Sequence, residues 1–139
     1  LDVSKTFLDT NILVYASDRR DLRKQALATK AIGRCIGERS GVISTQVLQE
    51  YVSVALSKLK QDSDYIVRRL RQFESMEVVQ LTPALIRRGL ELHDLYRIHY
   101  WDAMILAAAE VARCSRLWSE DFVPGSLYGL TRAENPLAE

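Results

Sequence analysis

The chain has 139 residues, of which 47% are apolar and 27% charged, with a formal charge of +1. That length suits one ordinary domain, read here as residues 1–139, and is too short to divide comfortably. The balance is that of a soluble globular protein, no apolar run approaches the ~20 residues of a membrane-spanning helix, and the first six residues lack the basic flank and apolar stretch of a signal peptide.

Thr6-Phe7-Leu8-Asp9 reads as a first strand, with Thr10 or Asn11 placed to cap the helical turn that follows. Residues 23–39 read as a helix with Leu27, Ala31 and Cys35 on one face. Gly41 punctuates, Val42-Ile43 is a short buried strand, and residues 45–60 form a second long helix. Asp62-Ser63-Asp64 opens a third, whose core stripe is Ile66, Leu70 and Phe73. Residues 77–81 are a strand, and Thr82-Pro83 starts a helix running to about residue 97. A further helix covers residues 101–113, residues 116–119 are a late strand, and residues 127–131 are expected to form an edge strand. Strands alternating with helices imply an α/β fold with a mostly parallel sheet covered on both sides. Cys35 and Cys114 lie in or beside apolar helical patterns without metal-ligand spacing, so buried thiols in a reducing, cytoplasmic setting are expected.

The placement of the acids carries most of the functional information. Asp9 is the only charge between Thr6 and Ser17, Glu50 between Ser40 and Ser57, and Asp102 between Tyr100 and Ala109. Each sits in a segment that otherwise reads as core. On its helix Glu50 lies almost opposite the stripe Leu48, Val52, Ala55 and Leu59, yet its neighbours three back and four on are Val47 and Val54. No Lys or Arg lies within a helical turn of Glu50 or Asp102. A buried carboxylate in such surroundings needs a cation, a hydrogen-bond network or a raised pKa. Singly, each has a plain structural explanation: Asp9 as a helix cap, Asp102 on a helix dipole, Glu50 pointing to water. Together they form a pattern.

A fourth acid comes from Ser119-Glu120-Asp121 at the end of the late strand. Asp121 leads and Glu120 stands in reserve, because strand alternation points the two side chains opposite ways. Asp9 and Asp121 both follow strands expected to run parallel, and open α/β sheets place their ligand sites at the carboxyl ends of strands. Carboxylates clustered without basic partners suit a hard divalent cation such as Mg²⁺. Such an ion points to phosphate-ester hydrolysis, without separating RNA from DNA.

These segments resemble those of a known family. Phe7-Leu8-Asp9-Thr10-Asn11-Ile12-Leu13-Val14-Tyr15-Ala16 resembles the opening of PIN-domain nucleases, particularly the VapC-type toxins of toxin–antitoxin pairs. Ser44-Thr45-Gln46-Val47-Leu48-Gln49-Glu50, Tyr100-Trp101-Asp102-Ala103-Met104-Ile105 and Ser119-Glu120-Asp121-Phe122 are similar to the family's second, third and fourth acidic segments, and Glu134-Asn135-Pro136-Leu137 to its usual ending. The resemblance implies a three-layer α/β/α sandwich around a mostly parallel sheet. It implies an endoribonuclease using Mg²⁺ or Mn²⁺ on transfer or ribosomal RNA, homodimeric and inhibited by a cognate antitoxin. Its metal-site acids would be Asp9, Glu50, Asp102 and Asp121, with Thr10 and Ser119 as flanking hydroxyls and Asn11 and Glu120 as supporting residues. The competing expectation is a catalytically silent PIN-like module that holds RNA or a protein.

Near-neutral overall charge leaves nucleic-acid binding to local basic patches. Arg19, Arg20, Arg23 and Lys24 follow the Asp9 segment, where phosphate contacts would be useful. Arg68, Arg69 and Arg71 are expected on a solvated face, and His93 and His99 lack metal-ligand company. Tyr96, Tyr100 and Trp101 could stack on bases, although packing is the expectation for Trp101.

Overall fold

The computed structural model describes residues 4–138. In chain order the elements are β1 (Thr6–Leu8), α1 (Thr10–Ala16), α2 (Leu22–Gly37), β2 (Gly41–Ser44), α3 (Thr45–Ser57), α4 (Ser63–Phe73), β3 (Glu77–Val79), α5 (Pro83–Tyr96), α6 (Tyr100–Val111), β4 (Arg116–Trp118), β5 (Leu127–Tyr128) and β6 (Thr131–Glu134).

The helices begin where short polar side chains can satisfy free amides. Asp21, Ser44, Asp62 and Thr82 each accept from the amide three residues on, and Pro83 occupies the first turn of α5. Arg39, Lys60, Arg97 and Arg113, which follow the ends of α2, α3, α5 and α6, take left-handed backbone conformations with φ of 51–59°. Their cationic side chains suit the negative ends of those helices.

The strands form one sheet in the order β3-β2-β1-β4-β6-β5, parallel throughout except for the antiparallel β5–β6 pair. The chain builds outward from β1 through β2 to β3, then crosses back to place β4 on the other side of β1. Right-handed crossovers put the helices before and after that reversal on opposite faces of the sheet. The packing agrees: α1 contacts α2 and α3, α3 contacts α4, and α5 pairs with α6. The result is a three-layer α/β/α sandwich.

Fully buried β1 and β2 supply Phe7, Leu8, Val42 and Ile43 to the core, and β4 adds Leu117. On one face Tyr51 and Phe73 meet edge to face with centroids 5.0 Å apart. On the other, α6 is buried continuously over residues 103–109. There α5 and α6 approach so closely that a Cβ on Gly89 would overlap Met104 Sδ and lie 3.2 Å from its Cγ. Both cysteines are free and buried, as expected. No helix among the described residues is long and apolar enough to cross a membrane.

Several local expectations need correction. The edge strand expected at residues 127–131 is a hairpin: β5 turns through Gly129 (φ 59°) and Leu130 into β6, which pairs with β4. Only Thr131 and Ala133 of β6 face inward, so its sequence carries almost no apolar alternation. The α3 stripe is Val47, Tyr51 and Ala55, with Leu48, Val52 and Leu59 at its margin, because the tyrosine supplies the bulk. The strand expected at 77–81 stops at Val79, where the chain turns toward the Thr82 cap. The cap of α1 is Asp9 itself, not Thr10 or Asn11.

Candidate active site

Strands β1 and β4 lie side by side with Leu8 and Trp118 in register, and the order of the sheet reverses between them. At such a switch point the connections leave the two strands toward opposite faces, which opens a crevice at the carboxyl ends. Asp9 leaves β1 into this crevice and residues 119–121 leave β4 into it. The Asp9 amide donates to the Trp118 carbonyl at 3.0 Å, extending the ladder one step beyond the strands. α3 brings in Glu50 from its second turn and α6 brings in Asp102 from its first. All four line one cleft of about 450 Å³, together with Thr10, Asn11 and Glu120.

Residues flanking the acids orient them. Asp9 Oδ1 accepts the Thr10 amide at 2.7 Å, and Oδ2 accepts the Ser119 hydroxyl at 2.7 Å. Thr10 Oγ1 donates to Glu50 Oε1 at 2.6 Å, across 40 residues of sequence. Asn11 Nδ2 donates to Asp121 Oδ2 at 3.0 Å, while its Oδ1 accepts the Glu120 amide at 3.3 Å. Ser119 Oγ also accepts the Asp121 amide at 3.0 Å. Thr10, Asn11 and Ser119 thus fix three of the four acids. Among the described residues nothing is hydrogen-bonded to the Asp102 carboxylate.

Electrostatics explains what the cleft lacks. Asp9 is only 5% exposed. Burial pushes its carboxyl up to about 7, with the charges of Asp121 and Glu50 adding to the rise and the Ser119 and Thr10 hydrogen bonds opposing it. Burial also raises Asp102, helped by Asp121 and Glu50 and opposed by His99. Among the described residues none of the four acids has a Lys or Arg ion-pair partner. The cleft therefore concentrates negative charge: its acids outnumber the two cations on its lining, Arg20 and Lys58, and neither cation pairs with any of the four.

A divalent metal fits this donor set, which consists of hard oxygens around an unneutralised charge. Among the described residues, however, no three acidic, histidine or cysteine side chains close on a single point as a ready cage. Mg²⁺ does not require one: it takes one or two carboxylates and keeps several waters.

The two acids after β4 divide their roles. Asp121 faces the other carboxylates, whereas Glu120 accepts Tyr15 Oη at 2.7 Å and pairs with Lys24 Nζ at 2.8 Å. Burial works against ionisation at Glu120, but the bonds from Lys24 and Tyr15 outweigh it and hold the carboxyl below its ordinary value. Glu120 is thereby a tether for the loop after β4 rather than a free carboxylate.

Sequence reasoning missed Lys24 and Tyr15 in this tether, since nothing in their spacing links them to Glu120. It also missed buried Asp18, whose oxygens take both Nε and Nη2 of Arg20 at 2.9 Å. A charge immediately after the serine that ends α1 was the only available hint. Arg20 lines the cleft and Arg19 does not. His99 caps α6. Trp101, expected to pack, stands 57% exposed at the cleft. A cavity of about 520 Å³ lies elsewhere, between α5, α6 and the β5–β6 hairpin, and gathers no carboxylate cluster.

A family model for the PIN domain matches residues 6–123. A search of curated proteins gives no match. Among solved structures, a toxin–antitoxin complex from Klebsiella pneumoniae superposes with a TM-score of 0.68 at 24% identity, covering 95% of this chain and 98% of its own. VapBC2 from Rickettsia felis, bound to a promoter DNA fragment, gives 0.67 at 20% identity, covering 94% and 97%. Mycobacterium tuberculosis VapC20, described as a toxin cleaving the sarcin–ricin loop, gives 0.62 at 18% identity, covering 81% and 87%. At these identities the likeness establishes a shared fold.

Proposed function

Because the chain belongs to the PIN-domain family, we propose that residues 1–139 form one nuclease domain, a divalent-metal-dependent endoribonuclease acting as the VapC-type toxin of a type II toxin–antitoxin pair. The observation that carries this reading is the convergence of four acids, distant in sequence and without basic partners, on one cleft at the switch point of the sheet.

In this reading Asp9, Asp102 and Asp121 hold the ion, with Glu50 beside them. Bound Mg²⁺ or Mn²⁺ supplies Lewis-acid polarisation of the phosphoryl oxygen and a water of lowered pKa. The protein's own share is positioning. Asp9 is locked at both oxygens by Thr10 and Ser119, and Asn11 aims Asp121. Thr10 occupies Glu50 Oε1, leaving Oε2 to accept a proton from an attacking water. The Tyr15–Glu120–Lys24 tether keeps the loop after β4 in place.

RNA as substrate is supported by the mycobacterial neighbour, a sarcin–ricin loop cleaving toxin, and the target class is transfer or ribosomal RNA. The neighbours described as a toxin–antitoxin complex and as VapBC support an antitoxin as protein partner. A homodimer working in the cytoplasm completes the proposal.

The test is cleavage of total cellular RNA with Mg²⁺ or Mn²⁺. Chelator is expected to abolish cleavage, and Asp102→Asn to reduce it by roughly 100-fold or more, the scale of losing one electrostatic group at a reacting centre. Undiminished cleavage by Asp102→Asn would overturn the assigned site.

A further inference from the structure

A second cavity adjoins the carboxylate cleft. It measures about 420 Å³ and shares Asp18, Arg20 and Lys58 with it. Across that common wall the sign of the lining changes. Six acids line the cleft against Arg20 and Lys58. In the second cavity five cations, Arg19, Arg20, Lys58, Lys60 and Arg68, stand against Asp18 and Asp62.

These cations come from three places in the chain. Arg19 and Arg20 sit in the turn between α1 and α2, Lys58 and Lys60 at the exit of α3, and Arg68 on α4. Asp18 grips Arg20 through two parallel bonds of 2.9 Å, which fixes its guanidinium on the wall between the cavities. Asp18 itself is held below its ordinary pKa, chiefly by those bonds, so the pair stays charged. Arg19, Lys58, Lys60 and Arg68 are exposed, and among the described residues none of them makes an ion pair. With Asp18 taken by Arg20, four unpaired cations face a single remaining acid, Asp62, so the cavity keeps a positive excess that favours a negative ligand. The cleft next door has the opposite defect, since its carboxylates repel a phosphate chain.

We propose that the cavity walled by Arg19, Arg20, Lys58, Lys60 and Arg68 is a backbone-phosphate subsite that holds an RNA strand as it leaves the carboxylate cleft. The inference rests on the nuclease reading for the identity of the strand. An acidic peptide would also satisfy such charges, but the shared wall favours a ligand that continues from the cleft. Phosphate contacts of this kind position a strand without reading its sequence, and each one released by salt leaves a measurable signature.

The experiment measures binding of a short labelled single-stranded RNA in chelator, where no cleavage occurs, across a range of salt. The wild type is compared with Arg19→Ala/Lys60→Asn/Arg68→Ala, in which asparagine tolerates the left-handed conformation at position 60. An unchanged thermal melt certifies the fold, and Arg19→Lys/Lys60→Arg/Arg68→Lys serves as the charge-preserving control. The slope of log affinity against log salt is expected to shrink by roughly 2, at about 0.7 per lost single-strand phosphate contact, and the control to keep the wild-type slope. An unchanged slope in the triple variant overturns the subsite, as does a response to these substitutions in polyglutamate binding but not in RNA binding. Metal-dependent cleavage together with an unchanged slope would sink the subsite alone, whereas the expected slope without cleavage under any metal would sink the nuclease reading alone.

Discussion

At Asp9 the turn from β1 into α1 and the proposed metal site use the same carboxylate, with Oδ1 on the Thr10 amide and Oδ2 on the Ser119 hydroxyl. Its folded pKa of about 7 exceeds the ordinary 3.8, so the folded chain binds this proton more tightly than the unfolded one. In metal-free protein that preference is fully present below about pH 4 and is lost as pH rises to about 7. Asparagine keeps the cap and removes the charge. The stability difference between Asp9→Asn and wild type, measured by denaturant titration in chelator, is expected to move in the variant's favour between pH 4 and 7, by at most about 4 kcal/mol. Ser119→Ala tests the neighbouring bond. With Asp9 and Asp121 both losing their shared hydroxyl, RNA cleavage is expected to fall by about 10-fold while the circular dichroism spectrum stays unchanged. The acids themselves were legible because each is a solitary charge in an apolar segment. Their orienting partners were not: Thr10 reaches Glu50 over 40 residues and Asn11 reaches Asp121 over 110, distances at which periodicity says nothing.

Elements with strong punctuation were read well from the sequence. Thr82-Pro83 and Asp62 mark the starts of α5 and α4 because cap chemistry is local. β6 escaped because its pairing partner is β4 and its two inward residues are a threonine and an alanine. The α3 stripe was misplaced because it was drawn through the aliphatic series Leu48, Val52, Ala55 and Leu59, whereas fully buried Tyr51, with Oη 3.0 Å from Ser17 Oγ, turns the inward face toward Val47. Gly89 was unremarkable in sequence, since the need for it arises only where α6 crosses α5. A valine there would press branched methyls against Met104. Gly89→Val is expected to cost roughly 1–3 kcal/mol in urea unfolding, despite valine's better intrinsic helix preference over glycine.

Across the whole molecule, ionising the carboxylates crowded on the crevice opposes the folded state until a cation arrives. Mg²⁺ or Mn²⁺ well above its dissociation constant is therefore expected to raise the melting temperature by roughly 5 °C. The rise should disappear in Asp121→Asn, whose side chain can still meet Asn11. A melting temperature indifferent to either metal would count against the ion site however the RNA assay turned out. The chain's two tryptophans also differ sharply in exposure. Trp118 is buried at the end of β4, its Nε1 bonded to Glu134 Oε1 at 3.0 Å, while Trp101 stands on the rim next to Asp102. The protein consequently carries its own optical gauge: iodide should dim the emission of one indole and spare the other, and any partner seated over the rim should shelter the first from the quencher.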